Sequence, residues 1–206
     1  RNAQTFLLPQ QLPQTNAYQV VSKYVPMAQI GGDFFDVLEP DTGTVGILVA
    51  DVTGHGIHAA LLSFMSAMVF RSIAPGHRST KNVMHAVNNA LYGKLHDENF
   101  VAMFYAILDT ATRRLTFTQA GMPPALLLRP RAGAVMPLET QSAVIGVLPG
   151  NGIPLLTRQL VQMLATSEKV GQRKGQKGLI AVVGAVHACP HRALDQCAIR
   201  ARGMVG

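Results

Sequence analysis

Two aspartates, Asp33 and Asp51, stand where a pair of carboxylates could do chemistry. Asp33 follows Gly31-Gly32 and precedes Phe34-Phe35-Asp36; Asp51 ends an apolar run and precedes Val52-Thr53-Gly54-His55-Gly56. Between them, apolar stretches flank Pro40-Asp41-Thr42-Gly43, the pattern of two strands joined by a short turn. Folding that ribbon about Thr42 sets Asp33 opposite Asp51, Phe35 opposite Val49 and Val37 opposite Ile47. Side chains alternate along a strand, so these six share one face, and a one-residue slip would turn one strand's set away. Opposed Cβ atoms lie about 4.5–5.5 Å apart, a distance at which like charges destabilise the pair. Two carboxylates that close need a shared proton or a cation, and a hard divalent ion bound through oxygen suits a pair flanked by glycines. The plainer reading makes each a polar residue at a strand end; the register, the glycines and the stretch that follows favour the metal pair. Asp36 falls on the face opposite Asp33 and reads as a structural residue or one that supports the ligands from behind.

Downstream, Gly54-His55-Gly56 turns the chain into Ile57–Phe70, whose spacing predicts a helix. Ile57, Leu61, Phe64, Met65, Met68 and Val69 form the expected inward face, and Pro75-Gly76 closes the element. The first N–H groups of such a helix lack intrahelical partners and face the strand end, so a phosphate and a divalent cation can meet there. His55 reads chiefly as a turn residue, with general-acid catalysis as the alternative. His58 and His77 read as solvated, and Met65, Met68 and Met103 as core.

The positioning elements follow from the same patterns. Ser79 or Thr80 caps a second helix running to about Leu95, with Val83, Ala86, Val87, Ala90 and Leu91 inward. Strands are expected at Tyr18–Tyr24, Phe100–Leu108, Arg114–Thr118 and Ala125–Arg129. Strands on both sides of two consecutive helices argue for an α+β domain with antiparallel sheets and helices packed outside. Residues 1–16, rich in Gln and Pro, carry little regular structure. Further on, Leu155–Thr166 fits a helix and Leu179–Val186 a strand.

With 206 residues, 48% of them hydrophobic and 14% charged, the chain has the make-up of one packed domain. The most apolar run, Ala59–Phe70, is shorter than the roughly 20 residues of a membrane span, so none is expected. Two cysteines make no disulfide framework, and a cytoplasmic location is expected. A start at Arg1 without a charged, apolar leader reads as a segment or processed product without a signal peptide. The net charge of +7 is unevenly spread. Residues 1–150 hold ten Lys/Arg and nine Asp/Glu, giving +1, whereas residues 151–206 hold eight and two, giving +6. The basic balance therefore belongs to the tail and does not argue for nucleic acid. Lys169–Lys177 reads as a solvated loop, and His187, Cys189, His191 and Cys197 lack the usual spacing of structural zinc.

The blocks Gly31–Asp36 and Ala50–Gly56 together resemble bacterial PPM-type serine/threonine phosphatases, in the stage II sporulation protein E and sigma-factor-regulator (RsbU-like) branch. The likeness extends to Leu7-Leu8-Pro9, Phe100–Asp109, Ala120–Leu128 and Ile145–Gly150. It implies an antiparallel β-sandwich flanked by helices in four αββα layers, incomplete at its C-terminus. Residues 1–150 would be the N-terminal part of that domain, and residues 151–206 a basic tail that does not match. The resemblance further implies two Mn²⁺ or Mg²⁺ ions that activate a water for attack on phosphate. Asp33, Asp51 and the Val52 main-chain carbonyl would be ligands, with Gly54, His55 and Gly56 as the phosphate-proximal loop. The implied substrate is a phosphoserine or phosphothreonine protein, namely an anti-sigma-factor antagonist in partner switching. An upstream sensor domain or a second copy of the chain would be a further partner.

One departure stands out. The family's Thr-Asp-Gly-Val/Ile-x-Glu and Asp-Asp-x-Thr motifs each bring a metal-binding aspartate, yet this sequence has no Asp-Gly and no Asp-Asp. Its only aspartate after Asp109 is Asp195. A frame shift or recombination near residue 150 would account for the loss; if neither other reading frame of the source DNA yields an Asp-Gly-x-x-Glu block, that idea fails. With two of the motif aspartates missing, the second ion is held weakly and little or no turnover is expected. The alternative function is a defective phosphatase domain that binds a phosphoprotein or partner.

Overall fold

A computed structural model of the chain describes residues 7–13, 15, 18–22, 24, 31–95, 99–129, 134–140, 142–150, 154–160 and 179–183. Apolar runs form strands β1 (Tyr18–Ser22), β2 (Phe34–Leu38) and β3 (Thr44–Val52). Helices α1 (Gly56–Ile73) and α2 (Thr80–Leu91) follow. Then come β4 (Val101–Asp109), β5 (Arg114–Ala120), β6 (Ala125–Arg129), β7 (Ala134–Leu138), β8 (Thr157–Leu160) and β9 (Leu179–Val183). A five-stranded antiparallel sheet runs β2-β3-β4-β5-β8, with β6-β7 as a separate hairpin and β1-β9 as a parallel pair. That parallel pair is the exception to the expected antiparallel pairing.

The turn joining β2 to β3 is built by its own polar residues. The Thr44 amide donates to the Asp41 carbonyl at 3.0 Å, the Thr42 amide donates to Asp41 Oδ1 at 2.7 Å, and Gly43 takes φ 74°. This closure sets the register of the ribbon, as loop geometry does in hairpins.

Alternation divides the core into two. On one face of the sheet, Phe34, Leu48, Ala50, Val52, Met103 and Tyr105 pack with the helices. On the other, Phe35, Val37, Ile47, Val49, Phe104 and Phe117 pack with Tyr18 and Val20 of β1, Leu127 of β6 and Leu138 of β7. The layers are thus a helix pair, the main sheet and a second set of strands. The α+β β-sandwich is as the sequence implies, without a second helical layer among the described residues.

Several expectations need correction. In α1 the buried residues are Ala59, Leu62, Ser63, Ser66, Ala67 and Phe70, while Ile57, Leu61, Phe64 and Met68 are exposed. The expected inward stripe is therefore largely the outward one, with only Met65 and Val69 partly buried against the core. Four of the six buried residues are small, which favours close approach of the helix to the sheet, and Leu62 and Phe70 supply the large apolar contacts between them. At 18 residues and a mean hydropathy of 1.4, α1 also reaches what a membrane crossing requires by length and composition. In this fold it forms a packed layer instead, tied to the sheet by the Arg71–Asp36 ion pair. The second helix ends at Leu91, short of Leu95, and Ala86 and Ala90 are only half-buried. Leu155–Thr166 is not a helix where it is described: β8 pairs with β5, Thr157 opposite Thr118. The strand expected at Leu179–Val186 is present as β9. Lys169–Lys177, His187, Cys189, His191, Asp195 and Cys197 lie outside the described residues.

Candidate active site

The open end of the β2–β3 ribbon carries the two aspartates singled out in the sequence. Phe34 pairs with Ala50, Phe35 with Val49 and Val37 with Ile47. One step beyond, the Val52 amide donates to the Gly32 carbonyl at 3.4 Å. Asp33 and Asp51 lie between these two pairings, directly across the ribbon from each other. Hydrogen-bonded and non-hydrogen-bonded pairs alternate in an antiparallel ladder, so this is a non-hydrogen-bonded pair with Cα atoms about 4.5 Å apart. Both residues are half-buried. By alternation their side chains leave on the face of Phe35, Val37, Ile47 and Val49, toward the second set of strands. Asp51 also neighbours Ala102 of β4.

The loops around the pair are pinned. The Tyr24 hydroxyl donates to the Asp33 carbonyl at 3.2 Å. Burial, and then the charge of Asp33, hold the Tyr24 phenol above its ordinary pKa, which keeps it a donor. The Thr53 amide donates to the Phe100 carbonyl at 3.1 Å, and Thr53 Oγ1 accepts from the Phe100 amide at 3.0 Å. These bonds fix the chain just after Asp51 to the start of β4. Gly54 (φ 94°) and Gly56 (φ 74°) then adopt left-handed backbone on either side of extended His55. His55 is the N-cap of α1 but makes no side-chain cap bond, and the first turn contains no acidic residue. The α1 N-terminus thus offers uncapped N–H groups beside the strand end.

Asp36 faces the helices. Its Oδ2 accepts from Arg71 Nε at 2.6 Å and its Oδ1 from the Val37 amide at 2.9 Å. Arg71 also donates to the Leu7 carbonyl at 2.7 Å, so Asp36 is a structural anchor, as its strand position indicates. His58 and His77 are exposed. The Val52 carbonyl lies against Gly32, where an added Cβ would come within 2.3 Å of it. Sequence reasoning missed Tyr24, Thr53 and Ser63. Their hydroxyls bond across the fold to residues distant in sequence, and no local pattern reports that.

Comparison with known proteins places the chain in a family. The model of stage II sporulation protein E (SpoIIE) matches residues 41–163, more than half of the sequence. The chain belongs to the SpoIIE family. Asp51 lies inside the matched stretch and Asp33 just before it. The phosphoserine phosphatase RsbU of Bacillus subtilis is 27% identical over 146 residues, covering 71% of this chain and 43% of its own. Phosphoserine phosphatase RsbP of the same organism is 30% identical over 113 residues, covering 52% and 28%. The chain therefore spans less than half the length of either relative. Among solved structures, the RsbU and RsbW domains of Rv1364c from Mycobacterium tuberculosis superpose with a TM-score of 0.56. They are 25% identical, with 69% of this chain and 38% of that one covered.

Phosphatases of this type depend on a divalent metal, and the donors at the ribbon mouth can be tested against one. Two carboxylates are hard oxygen ligands, and Mg²⁺ is commonly held by one or two carboxylates plus waters and substrate phosphate. The pair fits a single Mg²⁺ or Mn²⁺ ion. Among the described residues no group of three or more His, Cys, Asp or Glu converges, so the pair is not joined there by a third such ligand.

Proposed function

We propose that this domain is a metal-dependent protein phosphatase whose ion is held between Asp33 and Asp51. Its substrate would be a phosphoserine or phosphothreonine protein, and in the setting of RsbU and RsbP an anti-sigma-factor antagonist in a cytoplasmic partner-switching pathway. The observation that carries this reading is the bracketing of the two aspartates by the Phe34–Ala50 pair and the Val52-to-Gly32 hydrogen bond. Bound there, Mn²⁺ or Mg²⁺ supplies Lewis acidity, lowering the pKa of a water and neutralising charge on phosphoryl oxygens. The chain's part is positional. Asp33 and Asp51 orient the ion and contribute the negative charge it needs. The Gly54-His55-Gly56 loop and the α1 N–H groups behind it receive the phosphate, whose charge complements the helix terminus. His55, exposed on that loop, would chiefly shape the turn, with a general-acid role as its alternative.

A specific observation favours a second reading. The sequence has neither Asp-Gly nor Asp-Asp, and no third carboxylate joins the pair among the described residues. A domain with one ion site would bind a phosphoprotein or partner while hydrolysing slowly. A Mn²⁺ titration with p-nitrophenyl phosphate and a phosphoserine peptide separates the two. Turnover that saturates with Mn²⁺ and disappears in Asp51→Asn supports the phosphatase; peptide binding without turnover supports the binding module.

A further inference from the structure

Asp33 is held at both of its peptide planes by side-chain hydroxyls from elsewhere in the fold. On its N-terminal side, Ser63 Oγ donates to the Gly32 carbonyl at 2.6 Å, reaching across from the middle of α1. The same proton has the Ala59 carbonyl as a second acceptor at 2.8 Å, the usual back-bond of a helical serine. On its C-terminal side, Tyr24 donates to Asp33's own carbonyl at 3.2 Å. A peptide unit is planar, so fixing the Gly32 carbonyl fixes the Asp33 nitrogen and Cα in that plane. Fixing the Asp33 carbonyl does the same from the other side. Together the two bonds set the direction in which the Asp33 carboxylate leaves the ribbon.

We propose that Ser63 and Tyr24 are positioning residues that aim the Asp33 carboxylate at Asp51 across the ribbon mouth. The proposal rests on the metal reading above and adds residues that reach no reacting atom. Ser63 is fully buried on the face of α1 turned to the sheet, and its hydroxyl ties that helix directly to the Gly32 carbonyl. Ser66, one turn on, provides an internal comparison. It is equally buried on the same helix face, but its hydroxyl has no hydrogen-bond partner. If buried serines merely let α1 approach the sheet, the two should behave alike. If Ser63 aims a ligand, they should not.

The test is Mn²⁺ binding to the full chain without substrate, followed by the electron paramagnetic resonance signal of free Mn²⁺, beside thermal melting of the metal-free protein. Ser63→Ala and Tyr24→Phe should each weaken Mn²⁺ binding about threefold to tenfold, the range expected for one lost hydrogen bond. Ser66→Ala should bind as the wild type does. Wild-type affinity in both Ser63→Ala and Tyr24→Phe, or an equal loss in Ser66→Ala, would overturn the proposal. Should Ser63→Ala fail to fold, Tyr24→Phe decides, because it removes only a hydroxyl from a half-buried ring. Absence of Mn²⁺ binding by the wild type, indistinguishable from Asp51→Asn, would instead overturn the metal reading itself and this inference with it.

Discussion

The Val52 amide donates to the Gly32 carbonyl at 3.4 Å, and an added Cβ on Gly32 would stand 2.3 Å from the Val52 carbonyl oxygen. The ribbon mouth closes to this distance only because residue 32 lacks a side chain. Gly32→Ala should force the two strands apart at the position next to Asp33. A destabilisation of about 1–3 kcal/mol, as for overpacking, is expected from urea unfolding. It should be accompanied by a loss of Mn²⁺ binding larger than that of Ser63→Ala. An alanine variant as stable as the wild type and equally able to bind Mn²⁺ would contradict this geometry.

On the helix side of the same strand, Asp36 is held by Arg71 at 2.6 Å, with side-chain exposures of 10% and 32%. The carboxylate is the more buried partner and depends on the guanidinium for compensation. Removing one partner of a fully buried pair costs about 3–5 kcal/mol, and partial exposure of Arg71 lowers that. Arg71→Leu should therefore destabilise by about 1–3 kcal/mol in chemical denaturation, including the lost bond to the Leu7 carbonyl. Replacing both members, Arg71→Leu with Asp36→Asn, should recover part of the loss. A double variant weaker than the sum of the single ones would show that the pair is not the unit that matters.

The rotation of α1 about its axis is equally open to test. Leu62 is 8% exposed and Leu61 64% exposed. Leu62→Ala should cost about 2–5 kcal/mol through transfer and cavity terms. Leu61→Ala should stay within about 0.5 kcal/mol of the wild type. The opposite order, measured by thermal or urea unfolding, would restore the face that periodicity indicates.

That contrast explains which parts of the fold are legible in sequence. The ribbon register could be read because strict alternation and a polar turn at Asp41-Thr42-Gly43 leave one pairing that keeps Phe35, Val37, Ile47 and Val49 on one face. Helix α2 could be read because Lys81, Asn82 and Asn89 mark an outer side opposite Val83, Val87 and Leu91. Helix α1 has large apolar residues on more than one side, so the stripe that spacing picks out is not the one that packs. Its contact side is decided by where Ala59, Ser63, Ser66 and Ala67 permit close approach to the sheet. β8 escaped for another reason: four residues pairing with a distant strand carry too little local pattern to be told from a helical turn. At the site, Asp33 and Asp51 are visible because the ribbon is local, whereas the hydroxyls of Tyr24 and Ser63 act only after tertiary packing.

Stability should also depend on pH through His85 of α2. Its Nδ1 is buried without a hydrogen-bond partner. Burial first, and then the nearby charge of Lys81, hold its pKa below the ordinary histidine value. The unfolded chain has an ordinary histidine with a pKa of about 6.5. Between the two pKa values the unfolded state binds more protons than the folded one, so stability rises with pH there. It is complete above the unfolded value and is lost as pH falls through the folded one. The lowered carboxylates Asp41, held by Arg78, and Asp109, held by the Thr112 amide, act in the same direction but in a more acidic window. Melting temperature should therefore decline as pH falls below about 6.5 in the wild type, and His85→Gln should flatten that decline while leaving the acid unfolding below about pH 4 in place. An unchanged slope in the variant would assign the pH dependence to another group.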